Sequence, residues 1–154
     1  MKLASSVFDN GQSIPSKYTC DGENVSLPLT FSDVPKNAKS LVLIMDDPDI
    51  PDFVKEKFGI EEFDHWILFN IDSRAVEIAE GQYLGTQGNN SRGESEYTGP
   101  CPPDREHRYF FKLYALDTML NLKEGATKAE VEDALSGHII VKTELIGKYK
   151  RRGM

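Results

Sequence analysis

The sequence predicts a mainly β single domain, and three observations carry that reading. Six segments, near residues 3–8, 27–31, 40–45, 63–71, 107–116 and 139–145, read as strands, the clearest of them through strict alternation of side-chain character. Only two segments carry helix signals, and both are short. Residues 85–106 are a run of turn residues too long for an ordinary connection, which marks a functional loop. At 154 residues the chain is long enough for one real core and too short for two ordinary domains.

In chain order, Leu3 to Phe8 is the first expected strand, stopped by the turn residues Asp9-Asn10-Gly11. A loop over 18–24 precedes a short strand from Leu27 to Phe31, where Pro28 lacks an N–H and predicts an edge or a bulge. Ser40 to Met45 is an apolar run that reads as a buried strand, and it stops abruptly at Asp46-Asp47-Pro48-Asp49-Ile50-Pro51. Two readings of that charge stay open: carboxylates placed at a strand mouth to build a site, or a solvated turn. A calcium loop fails, because Pro51 stands where a third oxygen ligand belongs and no glycine follows it.

Residues 52–61 predict a short helix with Asp52 as N-cap and Gly59 as its stop. Phe63 to Ile71 predicts a strand with His65, Ile67, Phe69 and Ile71 on one face and Trp66, Leu68 and Asn70 on the other. His65 alone reads more readily as a hydrogen-bonded structural residue than as a ligand group. In the loop over 85–106, Gly85, Gly88, Gly93 and Gly99 permit positive φ, while Pro100, Pro102 and Pro103 fix φ and remove N–H donors. The strand that follows puts His107, Tyr109, Phe111, Leu113 and Ala115 on one face, so a histidine and a tyrosine point the same way beside the loop. Thr127-Lys128-Ala129-Glu130 is a capping box that opens the clearest helix, closed by Gly137. His138 follows with a structural role at the helix end, residues 139–145 form a closing strand, and Lys148 to Arg152 read as a basic tail.

Composition narrows the function. The chain is 39% hydrophobic and 28% charged, as a folded soluble protein is, and no apolar run approaches the roughly 20 residues of a transmembrane helix. A formal net charge of −7 argues against nucleic acid or an anionic membrane as partner, so an anion has to be caught by a local pocket. The N-terminus lacks a secretory h-region, so the expected location is cytoplasmic, and the two loop cysteines, Cys20 and Cys101, are expected as free thiols, with a disulfide left open. The two Asn-x-Ser matches, at Asn24 and Asn89, are discounted on the same ground.

Several chemistries fail on residue type. Gly88 to Gly93 has P-loop glycine spacing, but Glu94 and Ser95 stand where lysine and a hydroxyl residue are needed. Ser91 lacks the first glycine of a nucleophile elbow. Asp47, Asp49, His65 and His107 are too dispersed for a preorganised metal site, so no metal and no cofactor is expected.

Taken together, Asp47-Pro48-Asp49-x-Pro51, Asp64-His65-Trp66, Tyr97-x-Gly99-Pro100-Cys101-Pro102-Pro103 and His107-Arg108-Tyr109 resemble the phosphatidylethanolamine-binding protein family, also called Raf kinase inhibitor proteins, in its compact bacterial and archaeal branch. The blocks keep the family's order and run from Asp47 to Tyr109, 63 of the 154 residues. The resemblance implies a large antiparallel Greek-key sheet packed on a smaller one, and a small anion pocket. Carried over by motif position, the pocket residues are Asp47, Asp49, His65, Cys101, Pro102, His107 and Tyr109. The implied function is non-enzymatic binding of a phosphate-bearing small molecule or a phospholipid head group. Two alternatives stand beside it: inhibition of a kinase or protease by protein contact, and a hydrolase using the Asp/His cluster. A homodimer is left open, since the sequence does not name the oligomeric state. Two imidazoles, the Tyr109 hydroxyl and loop amides near Cys101 are the expected anion donors, with one Asp orienting a histidine and the other facing a cationic head group. Residues 52–62 are expected to form a rim or lid.

Overall fold

In the computed structural model, which describes residues 1–153, two antiparallel sheets face each other. The smaller sheet has the order β1-β2-β5, from β1 (Lys2–Ala4), β2 (Leu29–Ser32) and β5 (Glu77–Ile78). The larger has the order β6-β4-β3-β7-β8, from β3 (Ser40–Asp47), β4 (Phe63–Asp72), β6 (Thr86–Gln87), β7 (His107–Leu116) and β8 (Ile139–Tyr149). Within it, β3, β4 and β6 are successive neighbours and β7 returns to the far side of β3, which is the Greek-key connection. Two helices complete the chain, α1 (Asp52–Phe58) and α2 (Lys128–Leu135).

The apolar run of β3 is explained by its position, since every residue of it is buried. One face carries Leu41, Leu43 and Met45 into the core between the sheets, against Leu29, Phe31 and Ile78 of the small sheet. The other carries Val42 and Ile44 into a second cluster that α2 covers with Val131 and Leu135. The faces of β7 follow the expected alternation: Tyr109, Phe111, Leu113 and Ala115 enter the first core, Tyr114 and Leu116 the second.

Strand β4 departs from its expected faces. Met45 pairs with Trp66 and Asp46 with Asp64, so His65 is the extra residue of a bulge. Trp66 and Leu68 then pack in the first core, while Ile67 and Phe69 pack in the second, so His65 is not in line with Ile67. A further register shift puts Ile71 in the first core with Leu68, and Asn70 bridges it at a φ of 52°. Asn70 also gives and takes hydrogen bonds with the Leu120 backbone, at 2.8 and 2.7 Å.

Other expectations shift at their ends. The first strand stops at Ala4 instead of Phe8, whose ring packs in the core from a loop. Pro51, not Asp52, is the N-cap of α1, whereas Gly59 stops the helix in the left-handed region at φ 64°. The capping box of Thr127 and Glu130 is formed at α2, and Gly137 follows it at φ 82°. Lys148 and Tyr149 belong to β8 and not to a tail, because β8 pairs along the full length of β7, to Tyr149 opposite His107. Cys20 and Cys101 are not free thiols: they form a disulfide, with Cα atoms 5.4 Å apart, across 81 residues of sequence. No helix of the described residues is long and apolar enough to cross a membrane.

Candidate functional site

A cavity of about 240 Å³ opens where β3 ends and β4 and β7 begin, and three parts of the chain close around it. The sheet supplies Asp47, His65, His107 and Tyr109, the loop before β7 supplies Ser91, Arg92, Cys101 and Pro102, and α1 supplies Val54 and Phe58. His65 and His107 therefore line one cavity. The walls between the polar groups are apolar, through Ile50, Phe58, Phe63 and the prolines.

The loop owes its shape to tethers. The Tyr97 hydroxyl donates to the Tyr18 carbonyl at 2.7 Å, the Cys20 amide to the Pro100 carbonyl at 3.1 Å, and the Gly99 amide to Asn24 Oδ1 at 2.8 Å. A Cβ at Gly99 would lie 2.3 Å from the Tyr18 carbonyl oxygen, so only glycine fits that approach. The Cys20–Cys101 disulfide adds a covalent tie between the same two loops. At the β4 side, the Thr98 amide donates to the His65 carbonyl and the Ser91 amide to that of Asp64.

The two histidines differ sharply in environment. His107 is buried, with Asp47 Oδ2 2.6 Å from Nδ1 and Asp104 Oδ1 2.6 Å from Nε2. Burial opposes its charge, yet the two carboxylates outweigh burial and hold its pKa above the ordinary histidine value. His65 places Nδ1 2.7 Å from the Thr98 carbonyl, so Nδ1 carries the proton and Nε2 is the open nitrogen. Burial pushes its pKa below the ordinary value, against the pull of Thr98 and Asp47. Tyr109 lies between them, 5.2 Å from the His65 ring in an edge contact and 6.5 Å from that of His107. Burial, reinforced by Asp47, pushes the Tyr109 phenol up, so the hydroxyl stays protonated as a donor.

Of the residues expected here, Asp49 is the one the structure keeps out of the lining. Its carboxylate is taken up by Arg108, at 2.9 Å from Nε and 2.9 Å from the Arg108 amide, and this holds its pKa down to about 2. It anchors the start of β7 through Arg108. Nor is His107 a free donor, since both its nitrogens are occupied. The expected loop amides shrink to that of Cys101, because Pro100, Pro102 and Pro103 have none and that of Gly99 is bonded to Asn24. Two residues escaped the sequence reading. Asp104 shares no motif with Asp47, although its place three residues before His107 was a usable signal. Arg92 lay inside a loop tested as a P-loop and as a nucleophile elbow, neither of which uses it. Among the described residues its guanidinium has no carboxylate partner, and only its amide is bonded, to Asn90 Oδ1.

Below the cavity, on the α2 side of the sheet, Lys128 is buried among Asp46, Glu62 and Asp64, while Lys112 reaches Asp46 at 3.0 Å. Burial opposes its charge, but these carboxylates hold the Lys128 ammonium well above its ordinary pKa. Among the described residues, no group of three or more His, Cys, Asp or Glu is arranged to hold a metal ion.

Comparison with known proteins gives the same family as the four sequence blocks. The model of the family described as phosphatidylethanolamine-binding protein matches residues 4–150. A UPF0098 protein of Chlamydia trachomatis is 49% identical over 152 residues, 98% of this chain and 99% of that one. One from Methanothermobacter thermautotrophicus is 47% identical over 158 residues, with the same coverage. A solved structure described as a putative phosphatidylethanolamine-binding protein homolog from Chlamydia trachomatis superposes with a TM-score of 0.92 at 47% identity, over 97% of this chain and 96% of that one. That of YbcL from E. coli, described as a new member of the mammalian family, gives 0.85 at 27% identity, over 98% of each chain. A match that runs through both sheets, the cavity loop and both histidine strands leaves one conclusion, that this chain belongs to the phosphatidylethanolamine-binding protein family.

Proposed function

We propose that the chain is a non-enzymatic binding protein for small phosphorylated molecules or phospholipid head groups, held in the cavity between β4, β7 and α1. The observation that carries this reading is Arg92, exposed and without a carboxylate partner among the described residues, on the lining of a small, largely apolar cavity that Tyr109 and His65 also line. Such a set suits an anion, and the planar guanidinium fork suits phosphate oxygens. The charges of Asp47, His107 and Asp104 sum to about −1 with the ring protonated, and Arg92 brings the surroundings close to neutral. Such a balance suits a zwitterionic ligand.

Non-catalytic binding is supported by the state of each candidate nucleophile. Cys101 is in a disulfide, the Tyr109 phenol is held protonated, and Ser91 Oγ accepts from the Asp64 amide at 2.7 Å with no base placed to activate it. Thermal denaturation with phosphorylethanolamine and glycerophosphoethanolamine tests the reading. Either ligand should raise the midpoint, and Arg92→Ala should weaken binding by about tenfold, the worth of one charge-assisted hydrogen bond. Release of inorganic phosphate from the monoester would turn the reading toward a hydrolase.

The exposed rings of Phe53 and Phe58 on α1 favour a second reading, in which a protein target such as a kinase or protease closes over the cavity rim. Absence of any ligand-induced stabilisation would shift the weight to that reading.

A further inference from the structure

The Cys20–Cys101 disulfide is the one covalent crosslink of this chain, and its Cys101 half stands on the wall of the cavity. Both cysteines are exposed, so a reductant in solution reaches the bridge without unfolding the protein. The three hydrogen bonds that also join the two loops, from Tyr97, Gly99 and Cys20, all meet the cavity loop at or before Pro100. Beyond Pro100 the support changes. Pro102 and Pro103 have no N–H, and among the described residues no main-chain group of Cys101, Pro102 or Pro103 is bonded to another main-chain group. All three residues line the cavity. Burial of Pro102 packs this stretch, but the next directional bond is the contact of Asp104 with His107. The bridge is therefore spare for joining the loops and is the tie that fixes the start of this wall.

We propose, building on the binding reading above, that the Cys20–Cys101 bridge is a site of thiol–disulfide exchange with a dithiol reductant, and that opening it lowers the affinity of the cavity for a phosphorylated ligand. In the exchange one thiolate of the reductant attacks a sulfur of the bridge, whose S–S bond breaks as a mixed disulfide forms. The second thiolate of the reductant resolves that intermediate. The reductant leaves oxidised, as its own disulfide, and Cys20 and Cys101 take up its two protons as thiols. Affinity falls because the wall from Cys101 to Pro103 must then be ordered as the ligand binds, a cost that the intact bridge removes beforehand. Fixing the backbone of a single residue corresponds to about tenfold in binding. By linkage, a bound ligand favours the disulfide over the dithiol by the same factor.

The test is calorimetric titration of three proteins, the oxidised wild type, the wild type reduced with dithiothreitol, and Cys20→Ser, whose changed residue lies outside the cavity lining. The probes are phosphorylethanolamine, for a free phosphomonoester, and glycerophosphoethanolamine, for a lipid head group. A probe that binds should bind the oxidised protein about tenfold tighter than the reduced protein, and Cys20→Ser should match the reduced protein with or without dithiothreitol. A second measurement reads the same coupling from the other side. Alkylation of the folded protein equilibrated with mixtures of reduced and oxidised dithiothreitol gives the fraction of open bridge. Saturating amounts of the probe should shift that balance about tenfold toward the disulfide, which is about 30 mV for a two-electron couple. Equal or tighter binding by the reduced protein, or a bridge that dithiothreitol opens only as the protein unfolds, would overturn the proposal while leaving the binding reading intact. Failure of both probes on all three proteins would overturn both.

Discussion

At His65 two demands meet: a ring buried against Phe63 and Tyr109, and a backbone carbonyl that fixes its tautomer. Burial depresses its folded-state pKa, so the unfolded chain binds the proton first as pH falls. The stability that follows from this is fully present above the unfolded value of about 6.5 and is lost as pH drops toward the folded value. His107 has the opposite sign, because its folded pKa is raised; its contribution is intact below about 6.5 and is lost as pH rises through the folded value. Urea denaturation across this range should therefore show His65→Gln losing less stability than wild type on acidification, and His107→Gln losing less on the alkaline side. Parallel curves for either variant would contradict the environment assigned to that ring. The charge of His107 was partly legible in sequence, since a strand-mouth Asp beside a histidine raises its pKa by rule. The neutral state of His65 was not, because it depends on complete burial under a loop about 30 residues away.

Among the elements, α1 makes the clearest prediction, because none of its residues is buried while Val54 and Phe58 line the cavity. Phe58→Ala should change ligand affinity severalfold with less than about 1 kcal/mol effect on stability, as exposed positions do. Calorimetry and denaturation on one sample separate the two effects. On the far side of the sheet Lys128→Met should behave the other way. It leaves Asp46, Glu62 and Asp64 without their shared cation at the cost of about 3–5 kcal/mol, measured by urea denaturation. Strands were readable where the ladder is regular, as in β7, whose period-two pattern gave both faces correctly. In β4 the same rule failed twice, since a bulge inserts a residue without changing composition, and nothing in Asp64-His65-Trp66 announces it. Short β5 and β6 were missed because two residues cannot show a period.

Over the whole molecule, the disulfide is the feature least visible in sequence, because compartment argued against it and pairing depends on two loops meeting across 81 residues. Closing a loop of that length removes about 4–5 kcal/mol of unfolded-state entropy in the chain-entropy model. Hydrogen-bond tethers at Tyr97, Gly99 and Cys20 hold the native loops in place without it, so reduction should leave the fold intact and lower the midpoint by roughly 5–15 °C. Thermal melts with and without dithiothreitol check this, and superimposable melts would show that the crosslink contributes nothing.

The bulge at His65 has a consequence for how such a molecule can change. A residue in register must satisfy two neighbours, so replacing it is tied to the pairing of the sheet. His65 has no partner opposite it on β3, and its main-chain carbonyl is bonded to Thr98 whatever side chain it carries. The position is thus a socket: the cavity-lining group can be exchanged for another of similar volume while the strand pairs Asp46–Asp64 and Met45–Trp66 stay as they are. The chemistry of the cavity can evolve there one substitution at a time, with the architecture left out of the negotiation.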